Sequence, residues 1–243
     1  MDSNRIWNED CRSGLSRIED GSVDLVVMDP PYSLDNEGGG AFGPGGRSYR
    51  SEIGTMSEGI DDALLDAVMS KMCAVNVYAW CNKSQLLQYL TYFDRRGCNV
   101  DLLSWHKTNP TPACGNKYLS DTEYLVFARD PGVKLYGSYE TKRKFWVTPA
   151  NVKDKKAYGH PTVKPLDIIE TLIMNSSREG DMVLDPFMGS GTTAAACIRT
   201  GRRYLGFEIR EDYYDVAMAR IRSETSRADI LSPMWTGDAV NIS

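Results

Sequence analysis

Short runs of apolar and β-branched residues alternate along the chain with longer stretches of helical periodicity. Such runs, bounded by glycine, proline, asparagine or aspartate, are typical of buried strands. They predict strands at Val23–Met28, Ala74–Cys81, Asp101–Trp105, Glu123–Ala128, Met182–Asp185 and Tyr204–Phe207, with a further opening strand at Arg5–Asn8.

The stretches between these runs place apolar residues three or four positions apart, as one face of a helix requires. The last of them begins with an acid and ends among arginines, which suits the helix dipole. The alternation of strands and helices predicts an α/β fold, in which helices cover the faces of a sheet. The predicted helices are Asp61–Met72, Ser84–Arg95, Pro165–Ser176, Thr192–Thr200 and Asp212–Ser223.

Two stretches depart from this pattern. Leu34–Gly59 is rich in glycine and is predicted to be a long mobile loop. Thr108–Gly159 contains prolines, aromatic residues and lysines, with little periodicity apart from the strand at Glu123–Ala128. Loops of such length inside a compact domain are usually functional or disordered.

The composition is that of a globular protein, since 42% of the 243 residues are hydrophobic and 25% are charged. No apolar run approaches the roughly 18 residues that suggest a membrane span. The start, MDSNRIWNED, lacks the apolar segment of a signal peptide, so we expect a cytoplasmic protein. The 28 basic and 33 acidic residues give a net charge of −5, which argues against a protein that coats nucleic acid.

Six cysteines are scattered along the chain without a C-x-x-C pair, and histidine occurs only twice. This pattern offers no metal cluster at ligand spacing, so we expect no bound metal. We expect reduced, partly buried thiols rather than a disulfide framework.

The first motif that suggests chemistry follows the strand at Val23–Met28 and reads Asp29, Pro30, Pro31, Tyr32. The prolines stiffen the backbone and remove two N–H donors, so the turn presents acceptor carbonyls beside a carboxylate and an aromatic ring. This set suits a planar ligand with an NH2 group, which Asp29 and the Pro30 carbonyl accept while Tyr32 stacks on the ligand. The alternative is a rigid turn after a strand, without chemistry.

The second motif is a strand, a glycine turn and a helix of small residues, and it extends from Met182 to Ala196. This arrangement lets a ligand approach the backbone at the N-terminus of a helix. The turn lacks the lysine of a phosphate-binding loop and the full G-x-G-x-x-G of a dinucleotide site. The next strand leads to Glu208, which is placed to accept hydrogen bonds from ribose hydroxyls. Together these features favour a nucleoside ligand without phosphates.

These two motifs, in this order, resemble those of the β-class amino-group DNA methyltransferases, which use S-adenosylmethionine. The similarity extends from about Asp10 to Ile221. Several separated motifs in one order are much more specific than any one of them. Three stretches between the two motifs resemble further features of that family, namely Trp105–Pro110, Asp121–Tyr124 and His160–Pro165.

The resemblance implies a Rossmann-like sheet of seven strands with helices on both faces, in a single catalytic domain over residues 1–243. The D-P-P-Y motif comes first in this domain and the glycine loop last, and a target-recognition region is inserted at residues 108–159. The implied partners are double-stranded DNA and S-adenosylmethionine, which leaves as S-adenosylhomocysteine. The resemblance also favours a homodimer and a role in restriction–modification.

The resemblance also assigns residues to the cofactor. Asp10 and Cys11 fall where the family contacts the adenine of the cofactor, and Glu208 is implied to bind its ribose. The glycine loop and the segment before the helix at Pro165–Ser176 are implied to contact its amino-acid part. The further cofactor-contacting residues are Asp29, His160, Thr162, Lys164, Asp185, Pro186, Phe187, Gly189, Ser190, Gly191, Thr192 and Thr193.

Asp29, Pro30, Pro31 and Tyr32 are implied to be catalytic. Hydrogen bonds from an exocyclic amine to Asp29 and the Pro30 carbonyl would localise the nitrogen lone pair and stabilise the positive charge that develops during methyl transfer. A base inside a duplex cannot reach such a pocket, so we expect it to be flipped out and stacked on Tyr32. The loop Leu34–Gly59 suits a lid over the flipped base, and a disordered spacer is the alternative.

In the family that the chain resembles, an aspartate at the first position of the D-P-P-Y motif goes mostly with adenine, and a serine goes mostly with cytosine. Asp29 therefore favours methylation of adenine N6. Two alternatives stay open: a cytosine-N4 enzyme of the same fold, and a catalytically silent DNA-binding or regulatory partner. The intact D-P-P-Y motif and glycine loop argue against the silent partner.

The basic residues are concentrated in one segment, Pro131–Lys156, which we call the basic strip. Seven basic residues and two acidic ones give it a charge of +5 and leave −10 for the remainder. Aromatic residues interleave with the lysines, which suits DNA contact, and a solvated basic loop is the alternative. The residues that we expect to contact DNA are Arg47, Lys107, Lys134, Lys142, Arg143, Lys144, Lys153, Lys155 and Lys156.

Overall fold

The computed structural model describes residues 3–31, 59–110, 116, 118–159 and 163–231. The strands in these ranges are β1 (Arg5–Trp7), β2 (Leu25–Met28), β3 (Asn76–Cys81), β4 (Asn99–Lys107), β5 (Thr122–Arg129), β6 (Phe145–Thr148), β7 (Met182–Asp185) and β8 (Arg203–Phe207). The helices are α1 (Cys11–Gly14), α2 (Asp62–Met69), α3 (Lys83–Arg95), α4 (Val152–Tyr158), α5 (Leu166–Ser176), α6 (Thr192–Thr200) and α7 (Glu211–Leu231). None of the helices in these ranges is long and apolar enough to cross a membrane.

The strands of the described residues form one sheet in the order β1-β8-β7-β2-β3-β5-β4-β6. They run parallel to one another except for β5, which pairs in antiparallel register with β3 and β4. The central strands β2, β3 and β7 are buried throughout, because helices cover both of their faces. The parallel strands align their carboxyl ends along one edge of the sheet, where ligands of such sheets bind.

Two apolar cores lie on opposite faces of the sheet. Successive residues of a strand point to opposite faces. Val26 of β2 therefore packs with Phe93 of α3 and with α2 in one core, whereas Leu25 and Val27 pack with Ile169 of α5 and with α6 and α7 in the other. The continuous apolar runs of the sequence thus reflect strands that are buried on both sides.

The α/β class is confirmed, but the sheet has eight strands rather than the predicted seven. The additional strand, β6, is four residues long and pairs with β4 at one edge of the sheet. Its residues alternate between exposed and half-buried positions, and it directly follows three basic residues. It therefore lacks the continuous apolar run by which the central strands were predicted.

The bounds of several other elements also differ from the prediction. β4 extends two residues beyond each end of the predicted Asp101–Trp105, because its antiparallel pairing with β5 continues over that length. α7 continues to Leu231 instead of ending at Ser223. The short helices α1 and α4 were not predicted, since one or two turns give too few residues to show a helical period.

Phe93 on α3 tests the contribution of the first core to stability. Its side chain is fully buried, whereas Leu87 on the same helix is 72% exposed. We expect Phe93→Ala to lower the free energy of unfolding by about 3–5 kcal/mol, through lost burial and the cavity that remains. Leu87→Ala should change this free energy by less than about 0.5 kcal/mol. Urea denaturation measures both, and equal losses would contradict the assignment of Phe93 to the core.

Candidate active site

The carboxyl ends of four neighbouring strands bring together acids that are far apart in the sequence. β2 pairs in parallel with β7, and β8 lies between β7 and β1. Asp29 follows β2, Asp185 ends β7, Glu208 follows β8, and Asp10 lies shortly after β1. Four carboxyl groups therefore meet at one edge of the sheet.

A cavity of about 440 Å³ lies at this edge, which is within the size range of small-molecule sites. Its wall combines the carboxyl groups with apolar side chains such as Phe187 and Ile209. Most of the predicted cofactor and catalytic residues in the described ranges line it: Asp10, Cys11, Asp29, Pro30, Pro31, Lys164, Asp185, Pro186, Phe187, Gly189, Ser190, Thr192, Thr193 and Glu208.

Asp185 holds the glycine turn to the end of β7. Its Oδ1 accepts a hydrogen bond from the backbone N–H of Phe187 at 2.9 Å, and its Oδ2 accepts one from the hydroxyl of Thr193 at 2.5 Å. Burial raises the pKa of this carboxyl to about 7, although the two hydrogen bonds act to lower it. The charges of Asp29 and Glu208 add to the increase. Asp185 therefore exchanges its proton near neutral pH.

Glu208 holds the turn from β8. Its Oε2 accepts a hydrogen bond from the N–H of Gly189 at 2.7 Å, and its Oε1 accepts one from the N–H of Arg210 at 2.9 Å. Burial raises the pKa of Glu208, although both hydrogen bonds oppose the shift. A carboxylate has about four acceptor positions, so Glu208 can still accept hydrogen bonds from ligand hydroxyls.

Gly191 makes the turn into α6. Its φ of +78° lies in the left-handed region that favours glycine. A Cβ added there would lie 3.0 Å from the Cα and Cβ atoms of Ala217 on α7, so glycine also permits α7 to approach closely. Arg220 of α7 donates a hydrogen bond to the hydroxyl of Thr192 at 2.9 Å. The glycine loop is therefore held by α7 as well as by the strands.

Asp10 and Cys11 lie at the start of α1. A carboxylate oxygen of Asp10 accepts a hydrogen bond from the N–H of Arg12 at 2.8 Å and so caps the helix. Burial, and then the charge of Asp10, raise the pKa of the Cys11 thiol to about 12. Such a thiol stays protonated, so Cys11 contributes small apolar surface to the cavity and is no nucleophile.

Asp29 belongs to a partly buried network of charges. Nζ of Lys164 lies 2.7 Å from Oδ2 of Asp29 and 3.1 Å from Oε2 of Glu123 on β5. Oε1 of Glu123 lies 2.5 Å from Nζ of Lys107 on β4. Burial alone would raise the pKa of Glu123, but the charges of Lys164 and Lys107 outweigh it and lower the pKa to about 2. Glu123 is therefore ionised at neutral pH.

Two tryptophans pack against the lysines of this network. Nζ of Lys164 lies 4.9 Å from the ring centre of Trp80, and Nζ of Lys107 lies 5.1 Å from that of Trp105. The two rings meet edge to face at 6.5 Å. Cations over aromatic faces are attracted to them, so the tryptophans stabilise both lysines where they are.

Gln85 fixes the D-P-P turn from α3. Its side chain forms a reciprocal capping box with Asn82 at the start of the helix. Its Nε2 also donates a hydrogen bond to the carbonyl of Pro31 at 3.0 Å. The Asn82-x-x-Gln85 spacing marks a helix start in the sequence. The contact with Pro31 joins distant segments and leaves no local signal.

The predicted site residues did not include Gln85, Trp80 or Glu123, although Glu123 lies in one of the stretches that resemble the family. Tyr32, Arg47, His160 and Thr162 lie outside the described residues, as does the loop Leu34–Gly59 apart from its last residue. The side chain of Lys155 is outside them too. Lys107 pairs with Glu123, and its side chain is 15% exposed, so its contact with DNA stays a prediction.

One exposed part of the basic strip lies next to β6. Lys142, Arg143 and Lys144 are all exposed, and Lys144 also forms an ion pair with Asp101 of β4. Tyr139 is 83% exposed. Basic and aromatic side chains share one surface depression here, which is lined by Tyr139, Lys142, Arg143, Lys144 and Phe145.

Two further aromatic residues, one in the strip and one just after it, are engaged within the protein. The guanidinium of Arg178 lies 4.9 Å from the ring centre of Tyr136. That of Arg220 lies 4.3 Å from the ring centre of Tyr158. Both rings therefore pack against arginines outside the strip, and Tyr139 is the more accessible aromatic surface.

The fold is shared with a class of solved structures, the methyltransferases, one of which is a complex with S-adenosylmethionine. The crystal structure of the M1.HpyAVI–SAM complex matches 89% of this chain and 98% of its own, with a TM-score of 0.66 and 23% identity. The PvuII DNA methyltransferase (cytosine-N4-specific) matches 94% of this chain and 93% of its own, with a TM-score of 0.67 and 16% identity. At such identities the likeness shows a shared fold.

The sequence then identifies the family. The family model for the N6/N4 DNA methylases matches residues 23–219. The protein therefore belongs to this family and is a DNA methyltransferase. Similar proteins include the type II methyltransferase M2.DpnII of Streptococcus pneumoniae, which is 28% identical over 238 residues with 86% of each chain covered. M2.LlaDCHI of Lactococcus lactis subsp. cremoris is 30% identical over 230 residues, with 85% of each chain covered.

The cavity wall suits S-adenosylmethionine, the cofactor of this class. Asp29, Asp185 and Glu208 offer carboxyl groups for the ligand's two cationic groups and ribose hydroxyls, and Phe187 offers apolar surface. When bound, the cofactor supplies an electrophilic methyl group on a positively charged sulfur. In the described ranges, no group of histidine, cysteine, aspartate and glutamate is arranged to hold a metal ion.

The raised pKa of Asp185 predicts a pH dependence of cofactor affinity. A cation in the cavity favours the ionised carboxyl, so the affinity for S-adenosylmethionine should rise as the pH increases through about 7. The gain between pH 6 and pH 8 should reach at most about tenfold. S-adenosylhomocysteine lacks the sulfonium charge and should gain less.

Isothermal titration calorimetry with both ligands measures this difference. Asp185→Asn removes the titrating group, and we expect it to flatten the dependence for S-adenosylmethionine. Equal slopes for the two ligands in the unmodified protein would contradict the electrostatic explanation.

Proposed function

We propose that this protein transfers the methyl group of S-adenosylmethionine to the N6 amine of an adenine at a specific site in double-stranded DNA. The observation that carries the proposal is Asp29, which lies on the cavity wall at the end of β2, 2.7 Å from Lys164. In the family, an acid at this position goes mostly with adenine.

The proposed chemistry depends on the turn after β2. The exocyclic amine of adenine is a weak nucleophile, because its lone pair is delocalised into the ring. Asp29 accepts one amine hydrogen and the Pro30 carbonyl accepts the other, which localises the lone pair and stabilises the positive charge that develops on nitrogen. Gln85 binds the neighbouring Pro31 carbonyl at 3.0 Å, so the turn is positioned before the substrate arrives.

The target base has to leave the duplex to reach this turn. Tyr32 directly follows Pro31, and we propose that it stacks on the flipped base. The loop Leu34–Gly59 is the proposed lid, although it lies outside the described residues apart from its last residue. Gly59 lines the cavity, so the chain returns to the site at the end of this loop.

We propose residues 108–159 as the target-recognition region and the basic strip as its main contact with phosphates. Lys142 and Arg143 are exposed beside Tyr139, and Lys134, Lys153 and Lys156 are exposed elsewhere in the strip. The strip has a charge of +5 and the remainder of the chain −10, so the potential favours approach of DNA from this side.

A cytosine-N4 enzyme is the second candidate. The PvuII DNA methyltransferase is cytosine-N4-specific and shares the fold. Both bases present an exocyclic amine to the turn, so the chemistry alone does not discriminate between them. In the family, a serine at the first position of the D-P-P-Y motif goes mostly with cytosine. This chain has Asp29 at that position, which supports adenine. A catalytically silent partner is disfavoured because the D-P-P turn and the glycine loop both line the cavity.

The cellular context follows from the relatives. M2.DpnII and M2.LlaDCHI are named type II methyltransferases. We propose that this chain likewise serves a restriction–modification system. We also propose a homodimer, which rests on the resemblance of the sequence motifs to those of the family.

The product of the reaction tests the proposed base. We expect tritium from labelled S-adenosylmethionine to enter mixed-sequence DNA and to elute as N6-methyldeoxyadenosine after digestion to nucleosides. Label in N4-methyldeoxycytidine would favour the second candidate, and DNA without label would favour a silent partner.

Asp29→Ala tests the proposed catalytic residue. Loss of the carboxylate removes both an acceptor for the amine and the charge that stabilises the transition state, so kcat should fall by at least about 100-fold. Calorimetry should still detect binding of S-adenosylmethionine, because the glycine loop and Glu208 are unchanged. Near-normal turnover in this variant would rule out the proposed role.

The double variant Lys142→Ala/Arg143→Ala tests the basic strip. Each lost phosphate contact lowers the slope of log affinity against log salt by about 0.9, so the slope should fall by about 2. The control is Arg222→Ala/Arg227→Ala, which removes two exposed arginines of α7. Fluorescence anisotropy at several salt concentrations measures both. An equal change in the two double variants would count against a specific role of the strip.

A further inference from the structure

We propose that Glu123 is a positioning residue for methyl transfer, which acts on Asp29 through Lys164 and is itself held by Lys107. The inference rests on the proposed role of Asp29 as acceptor of the target amine. The four charged groups come from separate parts of the chain: the turn after β2, the strands β4 and β5, and the segment before α5.

Glu123 bridges two ammonium groups. Its Oε1 lies 2.5 Å from Nζ of Lys107, and its Oε2 lies 3.1 Å from Nζ of Lys164. On β5 it stands opposite Trp105 of β4 in the antiparallel register, so the backbone fixes where its side chain begins. Its side chain is 21% exposed. The carboxylate is therefore held by the sheet and by two lysines.

Lys164 connects Glu123 to the cavity. Its side chain is 6% exposed, and its Nζ lies 2.7 Å from Oδ2 of Asp29 and 4.9 Å from the ring centre of Trp80. A buried ammonium group requires compensating negative charge, which two carboxylates supply here. Lys164 and Asp29 both line the cavity. The position of the Lys164 Nζ therefore determines how the Asp29 carboxylate is oriented toward a substrate.

The charges of the network balance, because two lysines face two carboxylates. If Glu123 is neutralised, one positive charge stays uncompensated beside the amine that becomes cationic during methyl transfer. Lys164 then also competes with that amine for Asp29. Both effects raise the barrier of the chemical step. We therefore expect kcat to fall.

Glu123→Gln tests this expectation, with Glu170→Gln as the matched control. Glu170 on α5 is 23% exposed and is paired with Arg199 on α6, so it resembles Glu123 in burial and partner without contacting the network. Glu123→Gln should lower kcat by roughly 10- to 100-fold. Glu170→Gln should leave kcat unchanged. Glu123→Asp keeps the charge and should recover part of the loss.

A double-mutant cycle with Lys164→Met identifies the route. If Glu123 acts through Lys164, Glu123→Gln should cause little further loss of kcat in the Lys164→Met protein. A merely structural role would give the same loss in both backgrounds. Thermal unfolding and cofactor affinity, measured for each variant, separate loss of fold from loss of chemistry.

The rate at which tritium enters DNA at saturating substrate gives kcat, whichever base accepts the methyl group. A cytosine product would therefore overturn the proposed substrate and leave this comparison intact. Unchanged kcat in Glu123→Gln, or equal losses in the two backgrounds, would overturn the positioning role. The same would follow if Glu170→Gln and Glu123→Gln lost equal activity.

Discussion

The parallel pairing of β2 with β7 is the constraint on which the site depends. Leu25 and Val26 pair with Val183 and Leu184, which brings the ends of two segments that are distant in sequence to the same edge of the sheet. The D-P-P turn and the glycine loop thereby share one cavity wall. Because side chains alternate along a strand, a shift of β2 by one residue would turn its side chains to the opposite faces and displace the D-P-P turn relative to the glycine loop.

The second organising feature is negative charge in a mostly apolar cavity. Burial raises the pKa values of Asp185 and Glu208, and it would do the same to Glu123 without its two lysines. Such charge is costly without a cationic partner. Lys164 supplies a cationic partner for Asp29 in the turn after β2. The sulfonium group of the cofactor supplies a second cation when it is bound. We propose that the energetic cost of burial becomes affinity for a cationic ligand and for a transition state with positive charge on nitrogen.

The sequence predicts the parts of the fold that are buried on both sides, because their apolar runs are local. It does not predict β6, which lies at the sheet edge and alternates between exposed and half-buried residues. The residues around the cavity were largely predictable from the two motifs. The contacts of Glu123 with Lys164, and of Gln85 with Pro31, were not, since each joins elements that only the tertiary fold brings together.

We propose that this methyltransferase marks adenine at a defined site and requires Asp29 for this. Single-molecule sequencing of DNA from a host without adenine methylation of its own, expressing either the protein or Asp29→Ala, is the experiment that tests this proposal. We expect N6-methyladenine confined to one short recurring sequence with the unmodified protein, and no such mark with Asp29→Ala. N4-methylcytosine in place of N6-methyladenine, or the same marks in both hosts, would contradict it.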